Sequence, residues 1–121
     1  LVNFNLFGEG DRDDHRLGFR LKRAISGGST TFIQGLSANS ASQYCALPCI
    51  NYQSDTNSTP ATANFGPYLD SPSTTSAVTY TVQVHFHEDN SSTWYYNRTV
   101  NPGSVDHESG VSCITAMEVS G

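Results

Sequence analysis

The sequence predicts an all-β fold, an antiparallel β-sandwich of jelly-roll-like form with about eight strands. Three observations lead there. Residues 79–87 alternate strictly, with Tyr80, Val82, Val84 and Phe86 on one face and Thr79, Thr81, Gln83, His85 and His87 on the other. That period of two is the mark of a half-buried strand. Turn-forming groups then punctuate the chain: Gly8-Glu9-Gly10, Ser26-Gly27-Gly28, Gly66-Pro67, Asp70-Ser71-Pro72, Asp89-Asn90 and Asn101-Pro102-Gly103. No window carries a helical apolar stripe of useful length.

The remaining strands follow in order. Residues 2–7 form a weaker candidate. Leu17, Phe19 and Leu21 then alternate with Gly18, Arg20 and Lys22. Further candidates are residues 30–34, 43–52, 64–69 and 93–100. At the C-terminal end Val111, Cys113, Met117 and Val119 share one parity, with Ser112 and Glu118 on the other. Residues 53–64 and 70–78 are rich in Ser, Thr and Pro and read as ordered surface loops, because strands flank both. A chain of 121 residues fits a single domain, 1–121. It starts at Leu1, and its one methionine is Met117. The expectation is the C-terminal part of a longer or processed protein.

Composition narrows the function. Ser, Thr and Asn supply 16, 12 and 9 residues, while charged residues are 14% and the net charge is −5. Such an acidic balance opposes contact with phosphate, so nucleic acid is not an expected partner. No apolar run approaches the ~18 residues that read as a membrane span, so membrane insertion is not expected either. Cys45, Cys49 and Cys113 make an odd count, and Cys45 and Cys49 read as buried thiols ahead of a bridge or metal pair. The triplets beginning at Asn57, Asn90 and Asn97 are what chance gives in so Asn-, Ser- and Thr-rich a chain.

Several groups have chemistry to offer. Asp11, Asp13 and Asp14 lie beside Arg12 and Arg16, which makes a self-paired solvated loop the expectation over a calcium site. Five of the six basic residues fall between Arg12 and Arg23. Arg20 and Lys22 share the polar face of their strand. They suit a charged edge strand that discourages aggregation, or else a stripe that meets a neighbouring subunit or an anionic glycan. His85 and His87 stand on one side of their strand, roughly 7 Å apart at the backbone. Two imidazoles are half a metal site, with Glu88, Asp89, His15, His107 or a symmetry mate to complete it. Ordinary surface histidines are the expectation, with no cofactor; a transition metal shared between chains is the alternative. No nucleophile elbow, phosphate loop or zinc-protease motif is present, so no enzyme is expected. In the Trp94-Tyr95-Tyr96 run, alternation assigns Trp94 or Tyr96 to the core. Tyr95 is left as the better exposed ring; in a glycan-binding role it would stack on the sugar, with Asn90, Asn97 and Asp106 binding hydroxyls.

One ordered series adds a resemblance. It comprises Phe19-Arg20-Leu21-Lys22-Arg23, Ser29-Thr30-Thr31-Phe32-Ile33-Gln34-Gly35 and Tyr68-Leu69-Asp70-Ser71-Pro72-Ser73-Thr74-Thr75-Ser76. Thr79-Tyr80-Thr81-Val82-Gln83-Val84, Asn97-Arg98-Thr99 and Cys113-Ile114-Thr115-Ala116-Met117-Glu118-Val119 follow. This series, covering residues 17–121, resembles a virion-protein domain of tailed phages that infect aquatic bacteria, cyanobacteria among them. The domain usually ends fibre-like proteins. The resemblance implies a β-sandwich on the virion surface, assembled in the host cytoplasm as a homotrimer beside other virion proteins. It supplies no catalytic residues. It implies the receptor-binding head of a tail fibre that recognises a host-surface glycan. A capsid decoration or cement protein is the alternative, and a secreted lectin-like sandwich a lower one. Around a three-fold axis, His85 and His87 of three chains would offer six imidazoles to an octahedral metal ion.

Overall fold

The computed structural model describes residues 1–11, 17–33, 47–48, 61–86, 93–103 and 108–119, with backbone alone for 17, 47, 48, 61, 85 and 86. In chain order the strands are β1 (Val2–Gly10), β2 (Leu17–Ile25), β3 (Thr30–Ile33), β4 (Leu47–Pro48), β5 (Ala61–Tyr68), β6 (Val78–Phe86), β7 (Trp94–Tyr96) and β8 (Cys113–Ala116). Seven of these stretches have three residues or more, and β4 has two. The described residues contain no helix.

All pairings are antiparallel and fall into two sheets. In the first, β1 is central. β5 runs along one edge of it, while β8 and β7 share the other end to end, β8 against Val2–Asn5 and β7 against Gly8–Gly10. In the second, β2 is central. β6 follows its whole length from Leu17↔Phe86 to Ile25↔Val78, and β3 and β4 divide the opposite edge. The prediction of a charged edge strand therefore fails. Arg20 and Lys22 lie on the innermost strand of their sheet, and β6, the strand with the strictest alternation, pairs among the described residues with β2 alone.

One apolar cluster draws on both sheets. Val2, Phe4 and Leu6 of β1, Ala63 of β5 and Trp94 of β7 meet Phe19 and Leu21 of β2 and Ile33 of β3. Phe4 stacks on Phe65, ring centroids 5.1 Å apart, and Phe19 meets Trp94 edge-to-face at 5.1 Å. Tyr80, Val82 and Val84 of β6 are packed against this cluster and remain half-buried.

Gly8 is fitted to the Trp94 ring. A Cβ there would lie 2.3 Å from the Tyr95 carbonyl oxygen and 2.8 Å from the Trp94 ring. The first contact is with backbone on a paired strand, which cannot swing aside. Gly8→Ala is expected to cost about 1–3 kcal/mol by overpacking, read as a lowered urea midpoint at unchanged m-value. At Gly110 a Cβ would lie 2.7 Å from Cγ of the half-buried Phe7, so Gly110→Ala also forces a side chain to shift.

The C-terminal strand is in the register opposite to the expected one. β8 places Ile114 across from Phe4 and Ala116 across from Val2, so the even positions share the core-facing side of β1. Cys113 and Thr115 face outward with Asn5 and Asn3. Pairing with β1 sets this parity, and the strand ends at Ala116, before Met117 and Val119 can continue any face. All four residues of β8 are exposed, as are Val111, Met117 and Val119.

Candidate functional site

The best-ordered polar group of the described residues is a clasp between the second sheet and the loop after β5. Positions 19, 21 and 23 of β2 share a face, so Arg23 points the same way as Phe19 and Leu21. It emerges at the end of the cluster, where one Nη donates to Asp70 Oδ1 at 2.6 Å. Tyr80, directly across from Arg23 on β6, donates its hydroxyl to Asp70 Oδ2 at 2.7 Å. The other Nη of Arg23 reaches Thr31 Oγ1 at 3.4 Å. Both carboxylate oxygens are thus engaged, and the Asp70 side chain is only 6% exposed.

The titration of the pair follows from this geometry. Burial pushes the Asp70 carboxyl up, but the hydrogen bonds from Arg23 and Tyr80 and the guanidinium charge outweigh it, holding the group below its ordinary value. Burial, then the bond to the Asp70 carboxylate and its charge, push the Tyr80 phenol up to about 12. At neutral pH the clasp is one carboxylate, one guanidinium and one neutral phenol, an arrangement for holding a loop in place.

The loop so held, Leu69–Ala77, forms one wall of an open groove of about 720 Å³. Ser73, Thr74, Thr75 and Ser76 line it with hydroxyls. Val78 and Ala116–Val119 line it as well. The Leu1 amino group donates to the Met117 carbonyl at 2.7 Å, tying the chain's first residue to that last segment. A smaller cleft of about 330 Å³ opens between β6 and β8, lined by Leu6, Tyr80, Val82, Tyr96, Cys113 and Ile114.

The aromatic run of β7 is deployed differently from the expectation. Trp94 is buried in the core, as alternation allowed for one of the pair. Tyr96 is 46% exposed at the mouth of the smaller cleft, whereas Tyr95 is half-buried. The Arg98 guanidinium lies 4.4 Å above the Tyr95 ring, on the surface a sugar would need. Arg98 is itself fixed by donating to the Thr99 and Val100 carbonyls, both at 3.2 Å. Beneath this segment Glu9 is fully buried and accepts from the Val100 amide at 2.7 Å.

Asn97 serves the turn that follows. It has φ 62°, its amide N–H donates to the Phe7 carbonyl at 2.9 Å, and its Oδ1 accepts from the Ser112 amide at 2.7 Å. The short polar side chain tolerates the left-handed conformation, and its bond to Ser112, 15 residues on, ties the turn to the segment before β8.

The other expected site residues are not assembled by the described structure. Asn90, Asp106, His87, His15, His107, Glu88 and Asp89 lie outside the described residues, as do Arg12, Asp13, Asp14, Arg16, Asn57, Cys45 and Cys49. His85 pairs with Gly18, and its side chain also lies outside them. Among the described residues no three His, Cys, Asp or Glu side chains gather as a metal site, and Cys113 is an exposed free thiol. Sequence reasoning missed the clasp, although Arg23 falling on the apolar parity of its strand was a readable signal of a buried ion pair.

No protein-family model, curated protein or solved structure matches the chain.

Proposed function

We propose that this chain is a non-enzymatic virion-surface domain, the receptor-binding head of a tail fibre, acting as a homotrimer and recognising a host-surface glycan. The observation that carries this reading is the C-terminal edge of the first sheet. Of the eight large hydrophobic residues exposed among the described ones, Val111, Ile114, Met117 and Val119 come from or beside β8, while Tyr96, Leu69 and Tyr68 lie on neighbouring elements. Among the described residues β8 pairs only with β1, and no described strand lies along its second edge. Neither proline nor any charge stands within β8 to blunt that edge. An exposed apolar strand at the edge of the described sheet is what an assembling domain offers to another copy of itself.

The finer topology belongs to the same proposal. Two facing sheets, each with a central strand and one divided edge, fit a jelly-roll-like β-sandwich, the shape suited to packing around a three-fold axis. The Ser- and Thr-rich lining of the 720 Å³ groove, on a loop fixed by the Asp70 clasp, supports a glycan-binding role, because hydroxyls in one groove with apolar side chains such as Leu69, Val78 and Val119 suit the polar and apolar surfaces of a sugar ring.

Light scattering and native mass spectrometry of the purified protein are the test. The expected mass is three chains at micromolar concentration. Ile114→Glu, at a residue 44% exposed in the isolated chain, is expected to return it to one chain with its circular dichroism unchanged. A single-chain mass for the parent protein at high micromolar concentration would overturn the reading.

A further inference from the structure

We infer that the outer face of the second sheet is a binding surface for an anionic polysaccharide, centred on Arg20 and Lys22. The inference rests on the reading of this domain as a host-surface binder and names the ligand chemistry and the face. Phe19 and Leu21 are fully buried, so strand alternation turns Arg20 and Lys22 to the opposite, outward side. They stand roughly 7 Å apart, two residues along the strand.

The cross-strand neighbours are neutral. Arg20 faces Gln83 on β6, and Lys22 faces Thr81 on β6 and Phe32 on β3. Opposite charges placed there would stabilise the sheet, since directly opposed ion pairs contribute favourably. The chain has eleven acidic residues to six basic ones, so carboxylates are not scarce. Nevertheless, among the described residues neither Arg20 nor Lys22 meets one. An edge strand could carry such cations to prevent aggregation, but β2 is paired on both sides and has no edge to protect. Two uncompensated cations at the middle of a sheet, in a chain of net charge −5, therefore complement an anion from outside.

The surroundings select the kind of anion. The Arg20 guanidinium lies 4.8 Å from the centre of the Phe32 ring, which holds it in one orientation and reduces the freedom lost on binding. Its Nε is buried without a hydrogen-bond acceptor, leaving the terminal nitrogens as the reactive fork. Thr30, Thr81 and Gln83 surround the pair with hydroxyl and amide groups on the same face. A sheet face that joins half-buried cations to such groups fits a polymer carrying both acid groups and hydroxyls. Nucleic acid fits less well: its affinity comes from many phosphate contacts, and two cations on an acidic chain supply few. Each contact would be weak alone, and repetition of the face in an oligomer would multiply it.

The test uses the purified protein on surfaces coated with dextran sulfate, polygalacturonate, neutral dextran or single-stranded DNA, at 50 and 200 mM salt. Binding is expected to one or both acidic polysaccharides, the two arms separating sulfate from carboxylate recognition. It should weaken several-fold at the higher salt and be absent on neutral dextran. Arg20→Gln/Lys22→Gln should reduce it at least tenfold at an unchanged melting temperature. Lys22→Gln alone, which removes a side chain without polar contacts among the described residues and leaves the Arg20 stack on Phe32 intact, should also reduce it measurably. Acidic-polysaccharide binding unchanged in both variants, no such binding at all, or equal binding to DNA each overturns the inference. A three-chain mass without polyanion binding sinks this inference and leaves the assembly reading standing; a single-chain mass with such binding does the reverse.

Discussion

Phe19→Ala will lower the unfolding free energy by about 3–5 kcal/mol, the range for removing a buried phenylalanine. Phe19 has no exposed surface and sits near the start of the central strand of the second sheet. Its ring meets Trp94, from the first sheet, edge-to-face at an interplanar angle of 79°. The substitution therefore opens a cavity between the sheets and removes an aromatic pair that adds about 0.5–1.5 kcal/mol beyond the area it buries. Val84→Ala should cost only about 1 kcal/mol, because Val84 is half-buried. Thr81→Ala, facing outward on the same strand, should stay within about 0.5 kcal/mol. Urea denaturation of the three variants checks the order. Equal losses at Phe19 and Thr81 would mean that the faces have been assigned the wrong way round.

The graded costs show what alternation conveys. Residues 79–87 alternate most strictly because their two faces see different surroundings, apolar cluster and solvent. Strictness measures that contrast and says nothing of position within the sheet, so among the described residues β2 and not β6 is the central strand. β1, weaker by pattern, is central because Gly8 and Gly10 interrupt its apolar series to admit β7 and the Trp94 ring. Such glycines look like a turn when read locally. The β8 parity was illegible for a related reason: four residues are too few to fix a face, and the register comes from β1. Tyr95 was assigned to a ligand from alternation alone, and nothing local reveals that Arg98, three residues on, folds back over its ring. Arg23 was the opposite case. Its parity with Phe19 and Leu21 was visible, but its partner Asp70 lies 47 residues away and only the fold brings the two together.

That pairing sets the second large effect. Asp70→Ala will destabilise the protein by about 3 kcal/mol, the lower end of the cost of breaking a buried ion pair, since the Arg23 side chain keeps 16% of its exposure. The variant leaves a largely buried guanidinium without its carboxylate and removes the acceptor of the Tyr80 hydroxyl. Replacing both partners, Arg23→Met with Asp70→Leu, should cost less than Asp70→Ala alone, because no buried charge is then stranded. Stability will also show two pH edges. The Asp70 carboxyl is held below its unfolded value, so its contribution is present above that value, near 3.9, and is lost as pH falls through the lower folded one. The Tyr80 phenol is raised from 10.0 to about 12, so its contribution is intact below pH ~10 and is lost as pH rises towards the folded value. Melting temperatures from pH 2 to 12 should fall at both ends in the parent protein. In Asp70→Ala the acid edge should shrink, and the alkaline edge should weaken too, since Asp70 supplies both a hydrogen bond and a charge that keep Tyr80 protonated. An alkaline edge identical in the two proteins would show that burial alone, without Asp70, holds the phenol neutral.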